Sequence, residues 1–231
     1  MTQQSLQGVL ISGGSSGLGA ATVAAVSAHG GLPLVIDKKP PAADVPYVAC
    51  DLADTGAVAT AVESLADKVS GRITGVFTPA GIDCCGTLEQ VPAKEWERVI
   101  AVNLVGTAAV IRAALPYLKA TRGRVVTCAS TLGIKAVSDA TAYCASKFGV
   151  VGFTRALAAE LAGEVGVTLL IPGGMHTPFF DGRPEQYKPP AGAKLNRPED
   201  VAQTVLFAFS QPAGCEVREM VVCASTESSW P

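Results

Sequence analysis

Tyr143 and Lys147 stand four residues apart in the segment YCASK. On a helix that spacing puts both side chains on one face. A Tyr phenol titrates near ~10 when unperturbed, and a neighbouring ammonium favours its ionised form. Such a pair could act as general acid and base closer to neutral pH. A surface Tyr beside a solvated Lys is spelled the same way, so the pair needs support from its surroundings. Thirteen residues upstream, Ser130 lies just past the strand-like RVVTCA. Ligands of open α/β sheets bind outside the carboxyl ends of the strands, where a hydroxyl can hold a substrate oxygen. An N-cap serine would occupy the same spot.

A second group of residues follows the first apolar run. SGGSSGLG holds Gly13, Ser15, Ser16, Gly17, Leu18 and Gly19, with its glycines spaced G-x-x-x-G-x-G. Glycines there let the backbone turn tightly and approach a pyrophosphate seated on a helix N-terminus. The spacing is not the commoner G-x-G-x-x-G, and a simple strand-to-helix turn is the competing reading. Asp37 adds weight. It ends the second apolar run, 18 residues beyond Gly19, where an acid can bind the adenosine ribose 2′-hydroxyl of NAD and repel a 2′-phosphate. Lys38 and Lys39 could pair with that phosphate instead. NAD is the expected cofactor and NADP the alternative.

The elements that must position these groups alternate along the chain. Short apolar segments at 8–12, 32–37, 46–50, 72–77, 124–130, 167–172 and 217–223 suit buried strands. Between them, 17–29, 55–69, 96–118, 140–161 and 199–209 read as helices from their composition and apolar spacing. Strands apolar on both faces and alternating with helices imply an α/β fold: a Rossmann-type, doubly wound parallel sheet of about seven strands. One domain spans 1–231, and the Pro/Gly-rich stretch near 174–197 reads as a substrate loop with at most one short helix.

Composition narrows the class. Apolar residues are 48% and charged residues 16% of the 231, with a net charge of -2. No basic block marks a nucleic-acid binder, no unbroken apolar run of ~18 residues suggests a membrane helix, and the start lacks a basic leader. The cytoplasm is the expected compartment. Seven cysteines without a C-x-x-C pair read as reduced, mostly buried thiols. His29 and His176 are far from any Cys cluster, so no metal is expected. The neighbouring Cys84 and Cys85 could in principle do redox chemistry, although packing is the simpler role.

Together these segments resemble the short-chain dehydrogenase/reductase family over most of the chain. SGGSSGLG is similar to its T-G-x-x-x-G-x-G loop, with Ser12 in place of Thr. Ser130, Tyr143 and Lys147 match its catalytic Ser, Tyr and Lys, and Asn103 in VNLVG matches its Asn. Asp51 and Leu52 in DLAD resemble the adenine-contacting segment, and PGGMHT resembles the P-G-x-x-x-T segment that holds the nicotinamide carboxamide. The resemblance implies hydride transfer between NAD(H) and a secondary alcohol or ketone. Lys147 would bind nicotinamide ribose hydroxyls and lower the Tyr143 pKa. Ser130 would hold the reacting oxygen, Tyr143 would exchange its proton, and Asn103 would hold a water linking Lys147 to solvent. Ala80, Gly81, Pro172, Gly173, Met175 and Thr177 join the expected cofactor residues.

Two departures stand out. Thr78-Pro79-Ala80-Gly81 replaces the family's N-N-A-G, which removes Asn side-chain bonds and one N–H donor. The segment VVCASTESSWP lacks the usual Gly-Gly after the last strand. The substrate pocket is expected around 81–88, after Ser130 and within 175–195, where Phe179, Phe180 and Tyr187 suggest an apolar alcohol or ketone or else a self-packed lid. A homodimer or homotetramer is the expected assembly. Two other functions stay open: an NADPH-dependent reductase of 3-oxoacyl thioesters or other carbonyls, and a non-catalytic dinucleotide sensor or scaffold.

Overall fold

The expected apolar runs form strands in the computed structural model, which describes residues 6–230. In chain order they are β1 (Gln7–Ser12), β2 (Leu32–Asp37), β3 (Tyr47–Ala49), β4 (Gly75–Thr78), β5 (Arg124–Cys128), β6 (Gly166–Pro172) and β7 (Glu219–Val222). All pair in parallel, in the order β3-β2-β1-β4-β5-β6-β7. The order reverses between β1 and β4, and a crevice opens at such a switch point beyond the strand ends.

Side chains alternate across each strand, so every strand feeds two cores. Leu10, Leu34, Ile36, Val76 and Val125 pack with α2 (Thr55–Asp67) and α4 (Thr107–Thr121). Val9, Ile11, Val35, Phe77 and Val126 pack on the other face with α1 (Gly17–Ala28) and α6 (Pro198–Phe209). Both faces are covered, which is why the strands read as continuous apolar runs and not as alternating ones.

The long central helix differs from its expected span. It begins at Ala93, as α3 (Ala93–Ile100), passes through a π-helical turn (Ala101–Gly106) and continues as α4. Pro92 caps it, because a proline fixes the dihedral and lacks the N–H that a first turn leaves unpaired. By length and composition alone Ala93–Thr121 is apolar enough to cross a membrane. Its apolarity serves the core instead, since Val110, Ile111, Ala114 and Leu118 are fully buried against α2 and the sheet. The other long helix, α5 (Thr141–Glu160), carries Tyr143 and Lys147. The substrate stretch holds two short 3₁₀ turns, Pro178–Phe180 and Glu185–Tyr187. Its base is pinned where His176 N–H donates to Asn196 O (3.0 Å) and Asn196 N–H to Gly174 O (3.0 Å).

Candidate active site

One cavity of about 1490 Å³ runs along the carboxyl ends of the strands. Gly13, Ser16, Gly17, Leu18, Gly19, Asp37, Asp51, Leu52, Ala80, Gly81, Pro172, Gly173, Met175 and Thr177 line it, as do Ser130, Tyr143 and Lys147. Of the residues singled out from the sequence, Ser15 and Asn103 stand behind this wall.

The glycine loop is shaped by what is missing from it. Gly13 and Gly17 take left-handed backbone, with φ of 66° and 51°. A Cβ on Gly13 would lie 2.9 Å from Ala80 Cα, one on Gly17 3.3 Å from Thr177 Cβ, and one on Gly19 would collide with the Gly13 carbonyl. The three glycines therefore let the loop pack closely on Ala80 and Thr177, and together they floor a trough of the cavity at the start of α1. A helix N-terminus of this kind presents N–H groups suited to an anion such as a pyrophosphate. Asp37 is held facing the trough: its Oδ2 accepts from Ser15 N (3.0 Å) and Ser15 Oγ (2.6 Å), and its Oδ1 from Lys39 N (3.2 Å).

At the end of the cavity beyond Asp37, Asp51 Oδ1 accepts from Ala53 N (3.1 Å). Its Oδ2 pairs with Arg98 Nη2 (2.7 Å) and Lys38 Nζ (3.5 Å). The hydrogen bond from Arg98 and that from Ala53 hold the carboxyl below its ordinary range. Lys38 is thus turned toward Asp51. Arg98 belongs to this wall through its position on α3, 47 residues away, which no local motif announces.

At the chemical end, Ser130 caps the 3₁₀ turn Thr131–Gly133, its Oγ accepting from Leu132 N (3.1 Å). Lys147 Nζ donates to Cys128 O (2.9 Å) and lies 5.6 Å from the Tyr143 ring centroid. Burial pushes the Tyr143 phenol well above its ordinary value, and the nearby Ser130 hydroxyl only partly offsets this. Burial likewise pulls the Lys147 ammonium down. Burial disfavours the charged form of both groups, which is why an acid and a cation shift in opposite directions.

The first strand through the substrate turns matches the short chain dehydrogenase family model over residues 7–188. The chain belongs to that family. It is 34% identical to a 3-alpha-(or 20-beta)-hydroxysteroid dehydrogenase of Mycobacterium tuberculosis, over 96% of this chain and 83% of that one. It is 32% identical to a 3-oxoacyl-[acyl-carrier-protein] reductase of Thermotoga maritima, over 87% and 89%. The fold is similar to that of an aldohexose dehydrogenase of Thermoplasma acidophilum (TM-score 0.85, 23% identity, 96% and 94% covered). As a short chain dehydrogenase the protein is an oxidoreductase acting on CH–OH groups.

Within this short chain dehydrogenase, the Asn103 amide is engaged with the backbone of Ile82 and with Ser146. Its Oδ1 accepts from Ile82 N (2.8 Å), and its Nδ2 donates to Ile82 O (2.9 Å) and Ser146 Oγ (3.0 Å). Asn103 sits in the π turn, an irregularity found mostly at functional sites, and there it ties the loop after β4 to α5. The Thr78-Pro79 departure leaves a trace: Ser12 Oγ and Thr78 Oγ1, at the ends of adjacent strands, are buried without hydrogen-bond partners. Ala80 and Gly81 still reach the cavity.

The substrate end is mixed in character. Phe179 packs 5.5 Å from Tyr143, and Phe180 packs on Phe179. Arg183 lies over both rings at 4.5 and 4.8 Å and pairs with Asp83 (2.9 Å). Both charged side chains are mostly buried, 15% and 6% exposed. A lone Asp after ALA-GLY and a lone Arg among prolines carried no signal in the sequence. Tyr187 lines the same cavity, while His176 is exposed. The Cys85 thiol is pushed up to about 11 by burial and then by Asp83, and Cys84 is raised for the same reasons. Raised thiols are poor nucleophiles, so packing is the better account of both.

Proposed function

We propose that this protein moves a hydride between NAD(H) and a neutral secondary alcohol or ketone, with Ser130, Tyr143 and Lys147 as its catalytic residues. The observation that carries the reading is that Ser130, Tyr143 and Lys147, all buried, line one cavity together with the glycine trough. When bound, the nicotinamide supplies or accepts the hydride, and the protein's part is orientation and proton handling. Ser130 binds the substrate oxygen. Tyr143 gives that oxygen a proton in reduction and takes it back in oxidation. Lys147, anchored on Cys128 O, holds nicotinamide ribose hydroxyls with its remaining N–H groups.

Asp37 supports NAD over NADP, because an acid fixed by Ser15 and Lys39 faces the trough while Lys38 is occupied with Asp51. The balanced Asp83–Arg183 pair beside apolar rings favours a substrate with no net charge at that end. We also propose self-assembly through Val105 and Phe148, both 44% exposed on the long helices, as exposed apolar patches mark interfaces.

Tyr143→Phe tests the mechanism. Turnover should fall about 10²–10⁴-fold, the usual worth of a positioned acid or base, with NADH affinity retained. Unchanged turnover would sink it. NADPH preference with activity on 3-oxoacyl thioesters would support that alternative, and tight binding without turnover on any carbonyl the sensor.

A further inference from the structure

The departure after β7 has a use. Beyond Cys223 the chain turns back over the strand ends, and Thr226, Glu227, Ser228 and Ser229 join the wall of the cavity. Glu227 organises this segment. Its Oε2 accepts from Gly174 N (3.0 Å), while its Oε1 accepts from Ser229 N (3.1 Å) and Ser229 Oγ (2.7 Å). Ser229 Oγ is also hydrogen-bonded to Thr131 Oγ1 across 2.6 Å. Lys135 Nζ adds a bond to Ser228 O (3.0 Å).

Two walls of the site thereby become one unit. Gly174 lies between Pro172 and Met175, on the cofactor side. Thr131 follows Ser130, on the substrate side. A glycine is needed for this contact: a Cβ on Gly173 would lie 2.5 Å from Glu227 Oε2 and 2.7 Å from Cys223 Cβ. Burial alone would raise the Glu227 pKa, but the Gly174 N–H and the Ser229 bonds outweigh it and hold the carboxyl low. The segment that replaces the family's Gly-Gly is a strap with an ionised clasp.

We propose that Glu227 is a positioning residue for the nicotinamide end of the cofactor site, acting through Gly174 on one wall and through Ser229 and Thr131 on the other. The proposal rests on the dinucleotide reading above, extending it to a residue outside the family motifs. Glu227 need not touch the reacting atoms. It sets the distance between the backbone at 172–175 and the hydroxyl of Ser130.

Calorimetric titration with NADH and with ADP-ribose, the same molecule without its nicotinamide, tests this. Glu227→Ala should weaken NADH roughly tenfold to hundredfold, as expected for losing one hydrogen bond to a charged group, and leave ADP-ribose unchanged. Glu227→Gln keeps an amide oxygen for Gly174 N–H and should recover most of the NADH affinity. Ser229→Ala, which cuts the link to Thr131 and the hydroxyl bond to Glu227 but spares the backbone bonds from Gly174 and Ser229, should lower kcat with little change in NADH affinity. Equal losses for both ligands would mean a merely structural role and overturn the proposal, as would unchanged NADH affinity in Glu227→Ala. Wild-type protein that binds neither ligand would overturn the dinucleotide reading itself, and the proposal with it; binding of ADP-ribose by wild type separates the two failures.

Discussion

Asp37→Asn separates the two things Asp37 does. Its Oδ2 holds the glycine loop through Ser15 N and Oγ, and its charge faces the site proposed for the adenosine ribose. An asparagine oxygen can still accept from Ser15, so the loop should stay in place while the charge is lost. For NADH, a charge-assisted bond to the ribose becomes an ordinary one, a loss of ~1 kcal/mol or about fivefold in affinity. For NADPH the change has the opposite sign. Two unit charges at ~4 Å repel by about 1 kcal/mol in water and ~4 kcal/mol at a protein surface. Asp37 is half-buried, and screening by solvent favours the lower part of that range. Taking ~1–2 kcal/mol gives a fivefold to thirtyfold gain for NADPH. The ratio of the two dissociation constants should therefore move by roughly 25- to 150-fold, measured by titrating both variants with both cofactors at one salt concentration. Parallel changes for the two cofactors would refute the reasoning, because they would show that Asp37 acts on the loop alone.

Asn103→Leu strands the N–H and C=O of Ile82, so a loss of about 3 kcal/mol and a melting drop of ~6–12 °C are expected; an unchanged melting curve would count against the strut role. In cofactor-free protein, the ultraviolet difference between wild type and Tyr143→Phe should show no phenolate below pH ~10, since burial raises this group; a Tyr143 phenolate near neutrality would contradict that. Phe148→Asp should shift the protein toward monomer in light scattering, and a wild-type monomer would remove the assembly proposal.

The fold was legible because burial on both faces leaves a strong mark: β1, β2 and β6 are built around the unbroken apolar runs VLI, LPLVI and LLIP, and a serine, an acid or a glycine follows each run. Tyr143, Lys147 and Ser130 were legible because α5 fixes a four-residue spacing and Ser130 directly follows a strand. The remainder depends on contacts between distant segments. Arg98 reaches Asp51 from another element, Arg183 finds Asp83 across 100 residues, and Glu227 meets Gly174 only after the chain reverses. The π turn was missed because AVNLVG has ordinary helical composition; what marks it is the extra residue needed to aim Asn103 at Ile82, a tertiary demand. The helix start at Ala93 was missed for a different reason: Lys94 and Glu95 are exposed, so the first turn adds no apolar periodicity.

Tyr143 and Lys147 shift in opposite directions from one cause. Desolvation disfavours charge, so it raises an acid that ionises to an anion and lowers a cationic acid. With Cys128, whose thiol is also raised by burial, the site in the protein alone favours neutral groups. A neutral phenol is ready to donate to a carbonyl oxygen, as reduction requires. Oxidation requires the reverse, a phenol acidic enough to receive a proton from an alcohol after giving up its own. Ser130 pulls in that direction but is outweighed. Under the proposed mechanism the drive for oxidation would come from charge brought into the cavity by what binds there. Lys147 is tethered by one N–H to Cys128 O, which leaves its other donors for a ligand. A ligand gripped there would share the cavity with the phenol, which would couple binding to proton affinity through Lys147.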